Sequence, residues 1–267
     1  MTVVPEQRDS GRRKSGRRNP GSANSPAGRT ACAPVAALLF EPSARPSLAD
    51  LVALSRTDGV FGITHQNADE GHAELLRDGL TFDCHGLAPG APLRMDTALQ
   101  LLTLPGDFAV ADHALVTLGP GAHLAGAGQL LPVVRVLAGL ALVLSELPGL
   151  RAIAWLPARL AMSPAWFAEA VGIWLKGGPF PALALTGLAR SEGSLVSHGL
   201  SYFVGQEFIF SGKDGNLRES DARGAVRLAD WLVAHGRVDS PREVELPGFG
   251  TVLLEPEGRN SLRARSL

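Results

Sequence analysis

Cysteine is almost missing from this 267-residue chain, which carries only Cys32 and Cys84. Two thiols exclude the dense disulfide framework of small secreted domains and suit a reducing compartment, so a cytoplasmic protein is expected. No C-x2–4-C pair occurs and no two histidines stand at H-x3–5-H spacing, which removes the linear zinc motifs. Adjacent residues on a strand point to opposite faces, which separates Cys84 from His85. Neither a metal site nor a cofactor is expected.

Catalytic signatures are missing too. The chain has no G-x-S-x-G elbow, no H-E-x-x-H helix and no kinase-like set. The stretch from His113 to Leu144 runs from a strand-like segment through five glycines into a long apolar segment, as a phosphate loop would. Gly119 and Gly121 match the first two positions of G-x-G-x-x-G, but Leu124 occupies the third, and no Gly-Lys-Ser/Thr follows. A loop between strand and helix is the expectation. A membrane span is not signalled either, because the most apolar window, 130–147, contains Arg135, holds Pro132 near its start, is followed by Pro148, and falls short of about 20 residues. Lysine is scarce, outnumbered 22 to 3 by arginine, a coding bias that fits a GC-rich bacterial genome.

What is present is ample material for a core: 45% hydrophobic residues and a mean hydropathy of +0.11. The net charge of −1 conceals an uneven distribution. Residues 1–30 hold seven arginines and lysines against Glu6 and Asp9, leaving 18 basic and 24 acidic residues beyond them. That arm is rich in Arg, Ser, Gly and Pro and cannot bury enough surface to offset its conformational entropy, so it is expected to be disordered. Its Arg17-Arg18 pair, followed by ACAPVAALLF, has the outline of an export signal, but NPGSANSPAGRT separates the charges from the apolar run and Pro34 interrupts it. No aromatic residue interleaves with its arginines, so nucleic-acid binding is not signalled strongly.

A folded body is expected over 31–257, with a frayed polar tail at 258–267. Strands are expected at 34–40, over GVFGITHQ and LTFDCHGL, and at 113–118. A helix over 47–56 has Ser47 as N-cap and Asp50 three residues on. DEGHAELLRDG reads as a turn with a short helical stretch, and MDTALQLL as another helical piece. A long helix over roughly 123–147 precedes a strand in PGLRAIAWLP. SPAWFAEAVGIWLKGG is a helix capped by Ser163 with Pro164 first, and its Trp166 and Trp174, eight apart, read as core. Strands follow in PALALTGLAR and SLVSHGLSYFVGQEFIFSG, then a last helix in ESDARGAVRLADWLVAHG and a strand in GFGTVLLEP. Neighbouring strands near 60–87 and 181–211 break strict βαβ alternation. The expected class is α+β, a single domain with a layered mixed or antiparallel sheet packed by helices.

Few polar residues stand out. Glu207 lies among Val204, Phe208 and Phe210, so its carboxylate must face solvent or find a partner. His198 and His113 are the other candidates, His198 beside Ser197 and His113 beside Asp112.

From Asp112 onward the order of features resembles a bacterial family named domain of unknown function 4261. DHALVTL, a long helix, LRAIAWLPARLAMSPAWFAEA, PALALTGLA and HGLSYFVGQEFIF carry the likeness over 112–255. They include His113-Ala114, Gly199-Leu200 and Gly205-Gln206-Glu207. The resemblance implies one α+β domain and transfers no site. The sequence therefore points to a noncatalytic protein acting through an unidentified protein partner or as an accessory factor. The alternatives are an enzyme with a polar site near His198 and Glu207, and nucleic-acid contact through the basic arm. The oligomeric state stays open.

Overall fold

The computed structural model describes residues 32–267 except 96 and 214; the basic arm, 1–30, lies outside the described residues. Ala31–Leu267 forms one unit of α+β class, with two sheets of eight and six strands and six α-helices among the described residues.

The first sheet is organised by β1 (Ala36–Phe40), whose five residues are all buried. A strand with both faces covered reads as a continuous apolar run, and that is the character of AALLF. It pairs antiparallel with β6 (Ala114–Pro120) and β7 (Leu150–Trp155). Outward from β6 come β4 (Leu80–His85), β3 (His72–Arg77) and β2 (Gly62–Asn67). Outward from β7 come β8 (Leu160–Met162) and the edge strand β5 (Gln100–Leu102), which runs parallel to β8.

The two faces differ in side-chain size. Leu38, Phe40, Leu75, Phe82, Leu118, Ile153 and Trp155 point to the face packed by α2 (Leu131–Leu144) and α3 (Pro164–Leu175). The opposite face carries Ala37, Ala152, Ala154 and Ala161, with Leu39 and Leu115. Its small residues let the irregular segment around Leu93, Met95, Leu99 and Phe108 lie against the strands without a helix.

The second sheet has the order β12 (Arg242–Leu246), β13 (Gly250–Glu257), β14 (Ser261–Ser266), β11 (Glu207–Ser211), β10 (Ser194–His198), β9 (Gly187–Ser191). Its only parallel pair is β11 with β14, among the described residues. Phe208, Phe210, Val252, Leu254, Leu262 and Ala264 form a core with Ala225, Leu228, Ala229 and Leu232 of α6 (Glu219–His235).

Several helix signals hold. Ser47 and Asp50 form a reciprocal capping box on α1 (Leu48–Asp58), which ends at left-handed Gly59. Ser163 accepts from the Trp166 N–H at the start of α3, and Trp174 is buried. Arg135, placed in an apolar helix, donates to the Leu175 carbonyl at 3.0 Å and lies over the Trp174 ring. No described helix is long and apolar enough to cross a membrane.

Five expectations change. Residues 72–77 are a strand, not a helix, because Asp78 and Gly79 both take positive φ and close a two-residue hairpin. The helix expected over 123–147 begins only at Leu131, where Pro132 occupies its first turn. MDTALQLL supplies the edge strand β5 instead of a helix, and a short helix, α4 (Ala182–Leu185), precedes β9. The tail expected to fray is β14, an interior strand. Its SLRARS pattern buries Leu262 and Ala264 and turns Arg263 and Arg265 outward, the period of two of a half-buried strand.

Candidate functional site

Of the three residues singled out in the sequence, Glu207 has the clearest task. Its Oε2 accepts from the Ser197 hydroxyl at 2.5 Å and the Leu200 N–H at 3.3 Å. Its Oε1 accepts from the Ser201 N–H at 2.9 Å and hydroxyl at 2.7 Å. The carboxylate thus sits at the N-terminus of the single-turn α5 (Ser201–Val204), where unpaired N–H groups and the helix dipole favour negative charge. The Ser197 hydroxyl also accepts from the Phe208 N–H. Glu207 is half-buried and fully partnered within the fold.

Its neighbours have similar duties. Gly205 terminates α5 in the left-handed region. Gln206, completely buried, donates to the Val238 carbonyl and accepts from the Val238 N–H, both at 2.9 Å. At Gly199, where φ is +79°, a Cβ would come within 2.6 Å of the Ala158 backbone. Gly199-Leu200 and Gly205-Gln206-Glu207 are thereby accounted for as fold-making elements.

His198 is exposed at the end of β10, and no hydrogen bond among the described residues joins it to Glu207. His113, just before β6, bonds through Nδ1 to the Ala109 carbonyl at 2.8 Å and stacks on Phe108 at 4.4 Å. It belongs to the first sheet, His198 and Glu207 to the second. The structure brings no reacting constellation together from these three.

The glycines of the suspected phosphate loop also have structural reasons. A Cβ on Gly121 would meet Thr81 Oγ1 at 2.7 Å, and one on Gly119 the Ala33 carbonyl oxygen at 3.1 Å. They allow close backbone passage, and the helix that follows starts only at Leu131.

A different cluster emerges on β3 and β4. The Asp78-Gly79 turn sets a register that places His72 opposite His85 and Glu74 opposite Asp83. Asp83 and His85 lie two apart on one strand and share its face, while Cys84 points the other way and is completely buried. His72 Nε2 bonds Asp83 Oδ1 at 3.0 Å, and the His72 and His85 rings stack with centroids 4.5 Å apart. Burial, and secondarily the neighbouring His72, lower the His85 pKa below its ordinary value. Burial pushes the Cys84 thiol up to about 12.

His85 also lines a cleft of about 570 Å³ on the alanine-bearing face of the sheet. Leu115 and Thr117 of β6 contribute to its lining, as do Leu93, Met95 and Leu99 from the covering segment. Glu70, Arg94 and Arg159 bring charge to it. Arg94 and Arg159 are exposed and form no ion pair among the described residues.

The signal for this cluster was present but nonlocal. Asp-x-His on a strand after an Asp-Gly hairpin turn, with a histidine equally far on the other side, becomes a group only once the two segments are recognised as paired strands. No protein-family model, curated protein or solved structure matches this chain.

Proposed function

We propose that this protein works by binding and not by turnover, as a cytoplasmic accessory factor, and that its working surface is the cleft on the alanine-bearing face of the eight-stranded sheet. The ligand class is a small amphipathic carboxylate. Apolar Leu93, Met95, Leu99, Leu115 and Leu156 would take its hydrocarbon part, and Arg94 and Arg159 its anionic head. The observation that carries this reading is the pairing of an apolar lining with two arginines that have no carboxylate partner among the described residues. Two free thiols agree with a reducing compartment. The likeness of 112–255 to domain of unknown function 4261 belongs to the same proposal; its support is the succession β6, α2, β7, β8, α3, α4, β9, β10, α5, β11.

The alternative of a polar active site near His198 and Glu207 has little geometric support, since the Glu207 carboxylate is occupied by Ser197, Leu200 and Ser201. The test is thermal unfolding of the full chain with medium-chain and aromatic carboxylates against amines of equal size. Carboxylates should raise the melting temperature, and the double variant Arg94→Ser/Arg159→Ser should abolish the effect. Equal shifts from the amines, or none from either series, would overturn the proposal.

A further inference from the structure

We propose that His72, Asp83 and His85 form a binding site for one divalent first-row transition ion of the Zn2+, Co2+ or Fe2+ kind, beside the cleft that His85 lines. The donor atoms of the three side chains all lie within 4.8 Å of one another. Two imidazoles and one carboxylate suit a borderline ion and leave further coordination positions open. This site stands on strand geometry alone and does not depend on the carboxylate-binding reading of the cleft.

Three observations support it. The first is the spacing of the tightest pair: two ligands about 2.1 Å from one ion and at a right angle to each other stand about 3.0 Å apart, and His72 Nε2 lies 3.0 Å from Asp83 Oδ1. An ion entering there replaces the proton these two atoms share. Donors on one such ion stand about 3.4 Å apart in a tetrahedron and about 4.2 Å apart when opposite, so a pair at the 4.8 Å bound closes by roughly 0.6–1.4 Å through χ rotations when the ion enters.

The second observation is His85 itself. Neither of its ring nitrogens has a hydrogen-bond partner among the described residues, although the side chain is half-buried. An ordinary His72–Asp83 ion pair accounts for two members of the cluster and gives no reason for a second imidazole stacked 4.5 Å from the first. The antiparallel register sets this second imidazole beside the first, and a shared ion would use it once the rings turn so that their in-plane lone pairs converge.

The third is rigidity. The three ligands come from adjacent strands whose opposite face, with Ala73, Leu75, Phe82 and Cys84, is wholly buried. Sites on such elements hold their geometry better than sites on loops. His65, on β2, is nearby at 6.0 Å between ring centroids, but it is exposed and outside the triad, which makes it the natural control.

The experiment uses the full chain, stripped with a chelator and titrated with Co2+ at neutral pH while its visible absorption is recorded. One Co2+ per chain is expected, displaced by one equivalent of Zn2+. His72→Asn, Asp83→Asn and His85→Asn should each weaken binding by about tenfold or more, and His65→Asn should leave it unchanged. Zn2+ added to the unaltered protein should shift the imidazole NMR signals of His72 and His85 and not those of His198 or His235, a readout that needs no variant to fold. Absence of stoichiometric Co2+ binding, binding that survives all three substitutions, or Zn2+ shifts confined to other histidines would each overturn the site.

Discussion

Ser201 gives both its backbone N–H and its hydroxyl to one oxygen of Glu207, at 2.9 and 2.7 Å, while Ser197 and Leu200 donate to the other. A carboxylate that opens the phenylalanine-bearing strand β11 is thereby satisfied without any cation among the described residues, and α5 begins where these donors converge.

Replacing Glu207 tests that role. Glu207→Ala leaves several partly buried donors unpaired and should cost about 2–4 kcal/mol in urea unfolding at 25 °C. Glu207→Gln keeps the shape but can accept at one oxygen only, so its loss should be smaller. His198→Ala, on an exposed side chain, should stay within about 0.5 kcal/mol. A large effect at His198 with none at Glu207 would reverse these assignments.

The capping box on α1 has a pH signature. The backbone N–H of Ser47, and then its hydroxyl, hold the Asp50 carboxyl below its ordinary value. A carboxyl lowered on folding adds stability that is present above its unfolded pKa and lost as the pH falls through the folded value. Ser47→Ala should therefore cost about 1 kcal/mol near neutrality, with the difference from the unaltered protein shrinking below the ordinary aspartate range. Stability measured from pH 7 down to 2.5 for both proteins checks it.

Thiol chemistry should divide the two cysteines. Cys84 is completely buried with its pKa raised, whereas Cys32 is partly exposed at the cleft. Iodoacetamide should modify Cys32 alone in the native protein and both residues in urea, as read by peptide mass spectrometry. Native modification of Cys84 would show that the first sheet opens readily.

The C-terminal residues should be indispensable. Ending the chain at Glu257 removes β14, which joins β11 to β13 and contributes Leu262 and Ala264 to the second core. The shortened chain should lose cooperative unfolding or accumulate as aggregate, since two strands acquire open edges. A chain that still melts cooperatively at the original temperature would contradict that placement.

Local chemistry in the sequence determined the α+β class, the caps at Ser47 and Ser163, the strand in AALLF and the core position of Trp174. Each of these follows from a propensity or a spacing within a few residues. The same local reading misjudged HAELLR and SLRARS. Their alternation is short, and both become strands through partners: HAELLR folds back on LTFDCH across Asp78-Gly79, and SLRARS runs parallel to EFIFS, more than fifty residues earlier in the chain. The site followed the same division. His72 and His85 are thirteen residues apart and match no linear ligand motif, but an antiparallel register makes them opposite neighbours. Glu207 was conspicuous in sequence as a charge in an apolar strand, and only the folded chain could assign it to capping α5, because its donors arrive from the end of β10 and the helix that follows. Pairing register and the convergence of separate loops depend on the whole set of contacts, and those lay with the tertiary structure.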